Sequence, residues 1–431
     1  MSKRRGLVLF AVLAALFLVV NSAAYRGYFH DDDFNTLSWA EYGSYTDYLK
    51  PAVSPLFEVS NFRPTGCFYY HESEHFFGLD FPKYVAVLQV FHLLNMWMVW
   101  LLARRLGASA VAAGAGTVLF AFHMALFDAV WKPMYVFDVL CGTFCLLSVV
   151  LYAQQRWVLS FVSFWLAYKA KELAVMLPVV LACYEVWFGK RRWKPLVPFF
   201  AATLSFGLQG LLLNPNDDNQ YTFRFTPAAL AKTSVFYAGL VFLVPYLGFA
   251  LPLALLVNRN RRVYFGLAMM GLFFFPLLFL PGRLVAAYCY VPFTGLAIAF
   301  AGIVESLPPV WVGVFFLACL PQDIHWLRVQ RRATLAGDNE VREWVGTLVG
   351  FAKTNPAVDE FVAVGAPASF APWGVEGAVK YVFHRLDVKV RHADDPDAAK
   401  TSHGEKVALL RWDGVRHKLE ITQGKGASLA R

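Results

Sequence analysis

The sequence contains few charged residues. Asp, Glu, Lys and Arg make up 16% of its 431 residues, whereas 58% of the residues are hydrophobic and the mean hydropathy is +0.47. Soluble domains contain about 25% charged residues, so this composition excludes an ordinary soluble protein and predicts a polytopic membrane protein. The net charge of +9 is explained mainly by basic loops at one membrane face, and it predicts no nucleic-acid partner.

Cysteine is also scarce. The chain has six cysteines, and all of them except Cys67 lie in apolar segments. Their spacing fits neither a disulfide framework nor a zinc site, so they are predicted to be small buried residues. The sequence has no internal repeat and no low-complexity tract.

Long apolar runs occupy the first three quarters of the chain. Runs of roughly 17 to 25 residues match a hydrocarbon core roughly 30 Å thick, and a shorter run lies at residues 157–168. Between the runs, basic residues cluster at 3–5, 104–105, 156, 190–194 and 259–262. If about eleven segments cross, all these clusters fall on one side, which the positive-inside rule identifies as cytoplasmic.

This topology predicts a multi-pass protein of the inner (cytoplasmic) membrane. The N-terminus is expected in the cytoplasm, a large first loop at residues 25–82 outside, and the C-terminal part in the periplasm or extracellular space. The first apolar segment also has the anatomy of a cleavable signal peptide, with a basic start and small residues at 22–24. We expect a retained helix, with cleavage as the alternative.

The composition changes near residue 327, where charges become frequent. Turn signals at 336–339 and 354–356 are followed by patterns typical of a small α/β domain. The predicted helices are residues 341–351 and 374–385, and the predicted strands are 360–364, 406–412 and 417–421, the last two as a hairpin. We therefore divide the chain into a membrane domain at 1–326 and an extracytoplasmic α/β domain at 327–431.

Three adjacent carboxylates, Asp31, Asp32 and Asp33, open the first external loop. Like charges repel, so a site that keeps them together beside a membrane is predicted to use them on a cation or a proton. Arg63 follows on the same loop. A carboxylate can accept a hydroxyl proton and an arginine can clamp a phosphate, which together suggest transfer from a phosphate-linked donor.

Two lysines follow the short apolar run. At 1.5 Å per residue this run spans only about 18 Å, too little to cross the hydrocarbon. Lys169 and Lys171 are therefore predicted to lie in a cavity open to the outside, with Glu172 as the partner of one of them. The alternative is that they snorkel to lipid phosphates.

Further charged residues reach the same face from distant parts of the sequence. Asp128 and Asp138 flank the next external loop, and Arg283 precedes the segment Tyr288 to Pro292. Convergence of acids and bases at one face predicts a single site, although each residue alone also fits an interfacial ion pair.

His71 and His75 are spaced i, i+4 in the first external loop, with Glu72 and Glu74 beside them. This pattern suits a divalent metal, which is the one cofactor that the sequence suggests. The alternative is a solvated turn without a metal.

Five motifs occur in order between residues 31 and 292. They are Asp32-Asp33-Phe34; Asn61 to Pro64 with Phe77-Gly78-Leu79 and His92-Leu93-Leu94-Asn95; His123 through Asp128-Ala129-Val130 to Asp138-Val139-Leu140; Lys171-Glu172 ahead of Leu177-Pro178; and Tyr288 to Pro292. Together they resemble the C-type superfamily of membrane glycosyltransferases (GT-C), in its protein O-mannosyltransferase-like branch. The chain departs from that branch in carrying Asp128 in place of the usual Glu, in the displaced position of Arg283, and in lacking tetratricopeptide repeats.

The resemblance implies an all-α polytopic GT-C-like catalytic domain at 1–326. Such an enzyme moves one sugar from a polyprenyl-phosphate-linked donor, which lies among the membrane lipids, to an acceptor hydroxyl on a protein, lipid or glycan. The transfer inverts the configuration at the anomeric carbon. The implied catalytic residues are Asp32, Asp33 and Asp138, with Asp32 the preferred base; Arg63, Lys169, Lys171 and Arg283 would hold the donor phosphate; and Asp128, Glu172, Tyr288 and Tyr290 would bind substrate. The alternative function is a multi-pass transporter or flippase.

Overall fold

The computed structural model describes residues 3–56, 63–213, 218–393 and 406–423. In these ranges the α-helices are α1 Lys3–Val20, α2 Asp31–Ala40, α3 Tyr45–Val53, α4 Pro64–Phe77, α5 Phe81–Arg105, α6 Ala110–Phe122, α7 Phe127–Trp131, α8 Val136–Ala153, α9 Trp157–Ala170, α10 Leu177–Trp187, α11 Val197–Leu213, α12 Pro227–Val241, α13 Ala254–Val257, α14 Arg261–Phe274, α15 Tyr290–Val304, α16 Pro309–Thr354 and α17 Pro372–Val382. The strands are β1 Glu360–Val364, β2 Lys389–His392, β3 Val407–Asp413 and β4 Lys418–Gln423. Short 3₁₀ segments adjoin several helices, including Met124–Leu126, Pro133–Tyr135, Glu172–Met176 and Ala286–Cys289.

The chain is a multi-pass membrane protein. Five helical segments in the described ranges are long and apolar enough to cross a membrane: Phe81–Arg105, Pro133–Ala153, Arg261–Phe279, Ala286–Val304 and Pro309–Thr354. A sixth span results if α6 and the segment Met124–Trp131, which is bent by 48° relative to it, are counted as one. The expected number of about eleven spans is not confirmed, because segments such as α9 and α10 have only 14 and 11 residues.

Helix α5 connects two chemically different ends of the bundle. Its first residue, Phe81, packs edge-on against Phe29 of the loop that follows α1, with ring centroids 5.2 Å apart. Beyond its last turn, Arg262 Nη1 donates to Leu106 O at 3.3 Å and Arg262 Nη2 lies 3.9 Å from Glu305 Oε2. With 25 residues, α5 is about 37 Å long. The basic residues near 104 and 262 thus lie at the end opposite to the acidic triplet.

Helix α16 runs without interruption for 46 residues. The turn predicted at 336–339 is wrong, because the buried Asp338 holds this stretch against the loop that follows α1. Its Oδ2 accepts a hydrogen bond from Tyr28 N at 2.9 Å, and its Oδ1 lies 2.9 Å from His30 Nε2. The division at residues 326 and 327 stays a prediction, and it falls inside this helix.

The C-terminal part contains a four-stranded sheet in the order β2-β1-β3-β4. Strand β1 is parallel to β2 and β3, whereas β3 and β4 form the predicted antiparallel hairpin, with Leu410 opposite Ile421. Trp344 and Phe370 of this part belong to the same buried cluster as Phe34 of α2. The hydrophobic core is therefore continuous between the bundle and the α/β part.

Helix α17 lies directly on α2, and two glycines make this approach feasible. A Cβ on Gly377 would lie 2.6 Å from Asn35 N, and one on Gly374 would lie 2.7 Å from Asp31 Cα. No side chain fits at such distances, so the two helix backbones touch. This contact fixes the α/β part against the acidic triplet.

Candidate functional site

Asp33 is an anchoring residue inside the protein. His30 precedes α2, and its N–H donates to Asp33 Oδ2 at 2.7 Å in a capping box. Tyr70 Oη donates to the other carboxylate oxygen. Burial raises the pKa of Asp33 to about 7, although the nearby His30 charge and the two donors oppose this rise. Asp33 is fully buried, and both of its carboxylate oxygens accept hydrogen bonds from the protein; its catalytic role stays a prediction.

Asp31 and Asp32 point to the C-terminal part. Asp31 Oδ1 accepts a hydrogen bond of 2.6 Å from the N–H of Ala371, the residue that caps α17. Asp32 Oδ1 accepts one of 2.9 Å from Trp373 Nε1. Asp32 is only partly buried, and of the three carboxylates it is the one without a structural role in a helix cap.

Two ion pairs lie where α8, α9 and the segment after α9 meet. Lys171 Nζ donates to Asp138 Oδ1 at 2.6 Å, and both side chains are buried. Lys171 Nζ also lies 3.9 Å from the centre of the Tyr288 ring, a cation–π contact. Arg63 forms a fork with Glu172, with Nε to Oε1 at 2.9 Å and Nη2 to Oε2 at 3.0 Å.

The predicted pairing of Glu172 with a neighbouring lysine is wrong. Lys171 has an extended backbone, with φ −160° and ψ 141°, between α9 and the 3₁₀ segment that begins at Glu172. Consecutive side chains on extended backbone point in opposite directions, so Lys171 and Glu172 reach different partners. The sequence identifies the two charged residues, but it does not show in which direction each side chain points.

Arg283 is held by aromatic and phenolic groups. Its Nη2 and Nε donate to Tyr288 Oη at 3.0 and 3.2 Å, and its guanidinium lies 4.7 Å from the centre of the Tyr221 ring. Throughout the described ranges, no carboxylate lies within ion-pair distance of it. A guanidinium that is held by neutral groups retains its capacity to bind an anion.

Tyr221 shows how these residues converge. Burial raises the pKa of its phenol, Arg283 lowers it, Tyr288 and Asp32 raise it, and Arg63 lowers it again. Charges from the first loop and from the loop before α15 therefore act on one hydroxyl. Tyr221 was not predicted from the sequence, because it lies in a polar stretch without periodicity or motif.

Lys169 and Tyr290 face the protein interior. Lys169 is 5% exposed; its Nζ donates to Leu56 O at 3.2 Å and lies 5.4 Å from the centre of the Phe206 ring. Tyr290 Oη accepts from Asn95 Nδ2 at 2.9 Å and lies 2.8 Å from His92 Nδ1. The motif residues His92 and Asn95 thus join α5 to α15, which gives this part of the resemblance a structural explanation.

Asp128 lies close to the site as part of a local pair, with Lys132 Nζ 2.7 Å from its Oδ1. Two residues of the second motif, Asn61 and Phe62, lie outside the described residues. The substrate-binding roles of Asp128, Glu172, Tyr288 and Tyr290 stay predictions.

His71 and His75 each contact other residues of the protein. His71 Nδ1 lies 3.0 Å from Ala40 O, and its ring stacks on Tyr48 with centroids 4.6 Å apart. His75 is exposed, and its ring packs against Phe76. Within the part of the chain that the structure describes, no three His, Cys, Asp or Glu side chains form a group that could hold a metal ion. The metal site stays a prediction.

Two cations meet at Tyr288. Arg283 Nη2 donates to its hydroxyl at 3.0 Å, and Lys171 Nζ lies 3.9 Å from the centre of its ring. Asp32 acts electrostatically on both Arg283 and Tyr221, and Arg63 acts on Tyr221. A carboxylate near a cluster of cations offers a basic position and an anion-binding position, as a group transfer between a hydroxyl and a phosphate requires.

The fold resembles two solved structures. The crystal structure of ArnT from Cupriavidus metallidurans, bound to undecaprenyl phosphate, matches with a TM-score of 0.55 at 14% identity, covering 96% of this chain and 94% of that one. The cryo-EM structure of the arabinofuranosyltransferase AftD from Mycobacteria matches with a TM-score of 0.51 at 14% identity, covering 95% of this chain and 35% of AftD. No protein-family model and no curated protein sequence matches. The GT-C-like fold expected from the motifs is thereby supported.

Proposed function

We propose that this chain is a GT-C-type membrane glycosyltransferase that uses a polyprenyl-phosphate-linked sugar. The observation that carries the proposal is the meeting of Arg283 and the Lys171–Asp138 pair at Tyr288, and the electrostatic influence of Asp32 and Arg63 on the neighbouring Tyr221 supports it. The likeness to ArnT, whose structure contains undecaprenyl phosphate, and to an arabinofuranosyltransferase supports this reaction class. At 14% identity the likeness concerns the fold, so the site chemistry has to carry the function.

In the proposed reaction the acceptor hydroxyl gives its proton to Asp32. The acceptor oxygen forms a bond to the anomeric carbon of the donor sugar, while the bond between that carbon and the phosphate oxygen breaks. Polyprenyl phosphate leaves with the electron pair of the broken bond. Attack from the side opposite to the phosphate inverts the anomeric configuration, as the O-mannosyltransferase-like resemblance implies.

Arg283 is the first candidate to hold the donor phosphate, since among the described residues no carboxylate pairs with it. Lys171 and Arg63 add positive charge where negative charge grows on the departing phosphate. Their carboxylate partners, Asp138 and Glu172, keep both cations oriented when no donor is bound. We place Asp138 in an orienting role, because it is buried and its Oδ1 is paired with the Lys171 ammonium group at 2.6 Å.

The proposed site lies on the extracytoplasmic face of the inner membrane. The basic clusters at the opposite end of α5 support this orientation through the positive-inside rule. The N-terminus is then cytoplasmic, and the α/β part is periplasmic or extracellular. The acceptor would be a protein, lipid or glycan hydroxyl that reaches this face.

The test is release of polyprenyl phosphate. The purified chain in lipid nanodiscs is incubated with a panel of polyprenyl-phosphate sugars and with peptide, lipid and glycan acceptors, and the freed lipid phosphate is measured. Release with at least one donor, lost in the matched variant Asp32→Asn, is the expected result. No release with any donor, together with movement of a lipid-linked sugar across a sealed bilayer, would establish the transporter instead.

A further inference from the structure

The α/β part reaches the candidate base through a built contact. Asp31 Oδ1 accepts from Ala371 N at 2.6 Å, and Gly374 and Gly377 let α17 rest on the α2 backbone. Farther along α17, Tyr381 Oη donates to Glu74 Oε1 of α4 at 3.2 Å. These contacts set the position of Trp373, in the first turn of α17, relative to Asp32 in the first turn of α2.

We propose that Trp373 is a positioning residue of the active site, through which the α/β part sets the orientation of the base and borders the acceptor. This inference rests on the proposed glycosyltransferase function. The indole N–H donates to Asp32 Oδ1 at 2.9 Å. An indole can only donate, so it cannot compete for the proton, and the second oxygen of Asp32 remains to accept it.

The exposure of Trp373 indicates which substrate lies next to it. Its side chain is 48% exposed although its N–H is engaged. An apolar ring face beside the base is positioned for the molecule whose hydroxyl loses the proton, which is the acceptor. The donor phosphate belongs with Arg283, Lys171 and Arg63. Trp373 therefore acts on the acceptor half of the reaction.

Two variants separate the hydrogen bond from the ring. Trp373→Phe keeps an aromatic ring and removes the N–H that donates the hydrogen bond, whereas Trp373→Ala removes both. The matched control is Trp412→Phe, in strand β3 of the C-terminal sheet. Trp373→Phe is expected to lower kcat about 10- to 100-fold, the loss of one hydrogen bond to a charged group, with an unchanged donor KM. The acid limb of its pH–rate profile moves to higher pH, because the ionised carboxylate has lost a donor. Trp373→Ala is expected to raise the acceptor KM as well.

Several outcomes decide the inference. If Trp373→Phe matches Trp412→Phe in kcat and in pH profile while the wild-type chain turns over, the positioning role is overturned and the glycosyltransferase function stands. A rise in donor KM instead of acceptor KM would also overturn it. If the wild-type chain releases no polyprenyl phosphate from any donor, the proposed function fails, and this inference fails with it.

Discussion

The buried pair between Lys171 and Asp138 makes a quantitative prediction about stability and activity. Their side chains are 10% and 2% exposed, and the atoms Nζ and Oδ1 lie 2.6 Å apart. At an effective dielectric constant of about 20, two unit charges at this distance attract each other by roughly 6 kcal/mol. The cost of removing both charges from water offsets most of this attraction.

Removal of one partner leaves the other charge buried without compensation. We therefore expect Lys171→Met and Asp138→Asn each to lower the free energy of unfolding by about 3–5 kcal/mol. The double variant should be more stable than either single variant, because no buried charge remains. The difference from additivity must then exceed the loss in either single variant, so it is expected to be more than about 3 kcal/mol, which lies above the usual range for residues in contact.

The assay is a double-mutant cycle in lipid nanodiscs, with the free energy of unfolding from reversible denaturation and transfer activity measured on the same samples. The double variant should recover stability without recovering activity, since both side chains belong to the proposed site. A matched control is the exposed pair Lys83 and Asp80, at 2.9 Å, for which a coupling of at most about 1 kcal/mol is expected.

Additive effects of Lys171→Met and Asp138→Asn would refute this reasoning. They would mean that the two charges do not compensate each other inside the membrane, and that water reaches the pair. Recovery of activity in the double variant would refute the placement of the pair in the active site, while leaving its role in stability intact.

Three further predictions concern the site. Asp32→Asn should abolish transfer with near-normal expression and folding, because a single partly exposed carboxylate in the first turn of α2 contributes little to stability, whereas Asp80→Asn should leave turnover unchanged. Arg283→Gln should raise the donor KM about tenfold or more through the loss of a charged hydrogen bond to phosphate, in contrast to Lys83→Gln. The pKa of Asp33 is raised from 3.8 to about 7, so between these pH values the folded state binds more protons than the unfolded state. The free energy of unfolding should therefore fall by up to about 4 kcal/mol as the pH rises from about 4 to about 7. In the variant Asp33→Asn, the free energy of unfolding should depend less on pH over this range.

Each of these predictions has a result that contradicts it. Normal turnover of Asp32→Asn removes Asp32 as the base. Equal donor KM values for Arg283→Gln and Lys83→Gln remove Arg283 from the phosphate site. A free energy of unfolding that rises between pH 4 and 7 in the wild-type chain, or an unchanged slope in Asp33→Asn, shows that Asp33 is not the group that titrates.

The sequence was informative where chemistry is local. Strand β1, the hairpin of β3 and β4, and the crowding of three carboxylates at the start of a polar loop all follow from residue type and period. The distinct roles of Asp31, Asp32 and Asp33 did not follow from them. They depend on Ala371, Trp373 and Tyr70, which are far away in the sequence.

Pairing in space was the part that the sequence could not supply. Glu172 follows Lys171 directly, yet an extended backbone turns them apart, and Glu172 meets Arg63 instead. Asp338 and Gly337 resemble a turn, but the contacts of Asp338 with Tyr28 and His30 keep α16 intact. In both cases long-range contacts outweigh local preference.

The contact between Asp31 and Ala371 also bears on the order of biosynthesis. The two residues are 340 positions apart, so at about 10 residues per second roughly half a minute passes between the synthesis of one and of the other. During that interval the first loop has neither its helix-capping partner nor Trp373. The acidic triplet is therefore present in the nascent chain long before α17 is synthesised, and full activity is expected only after α17 has folded onto α2.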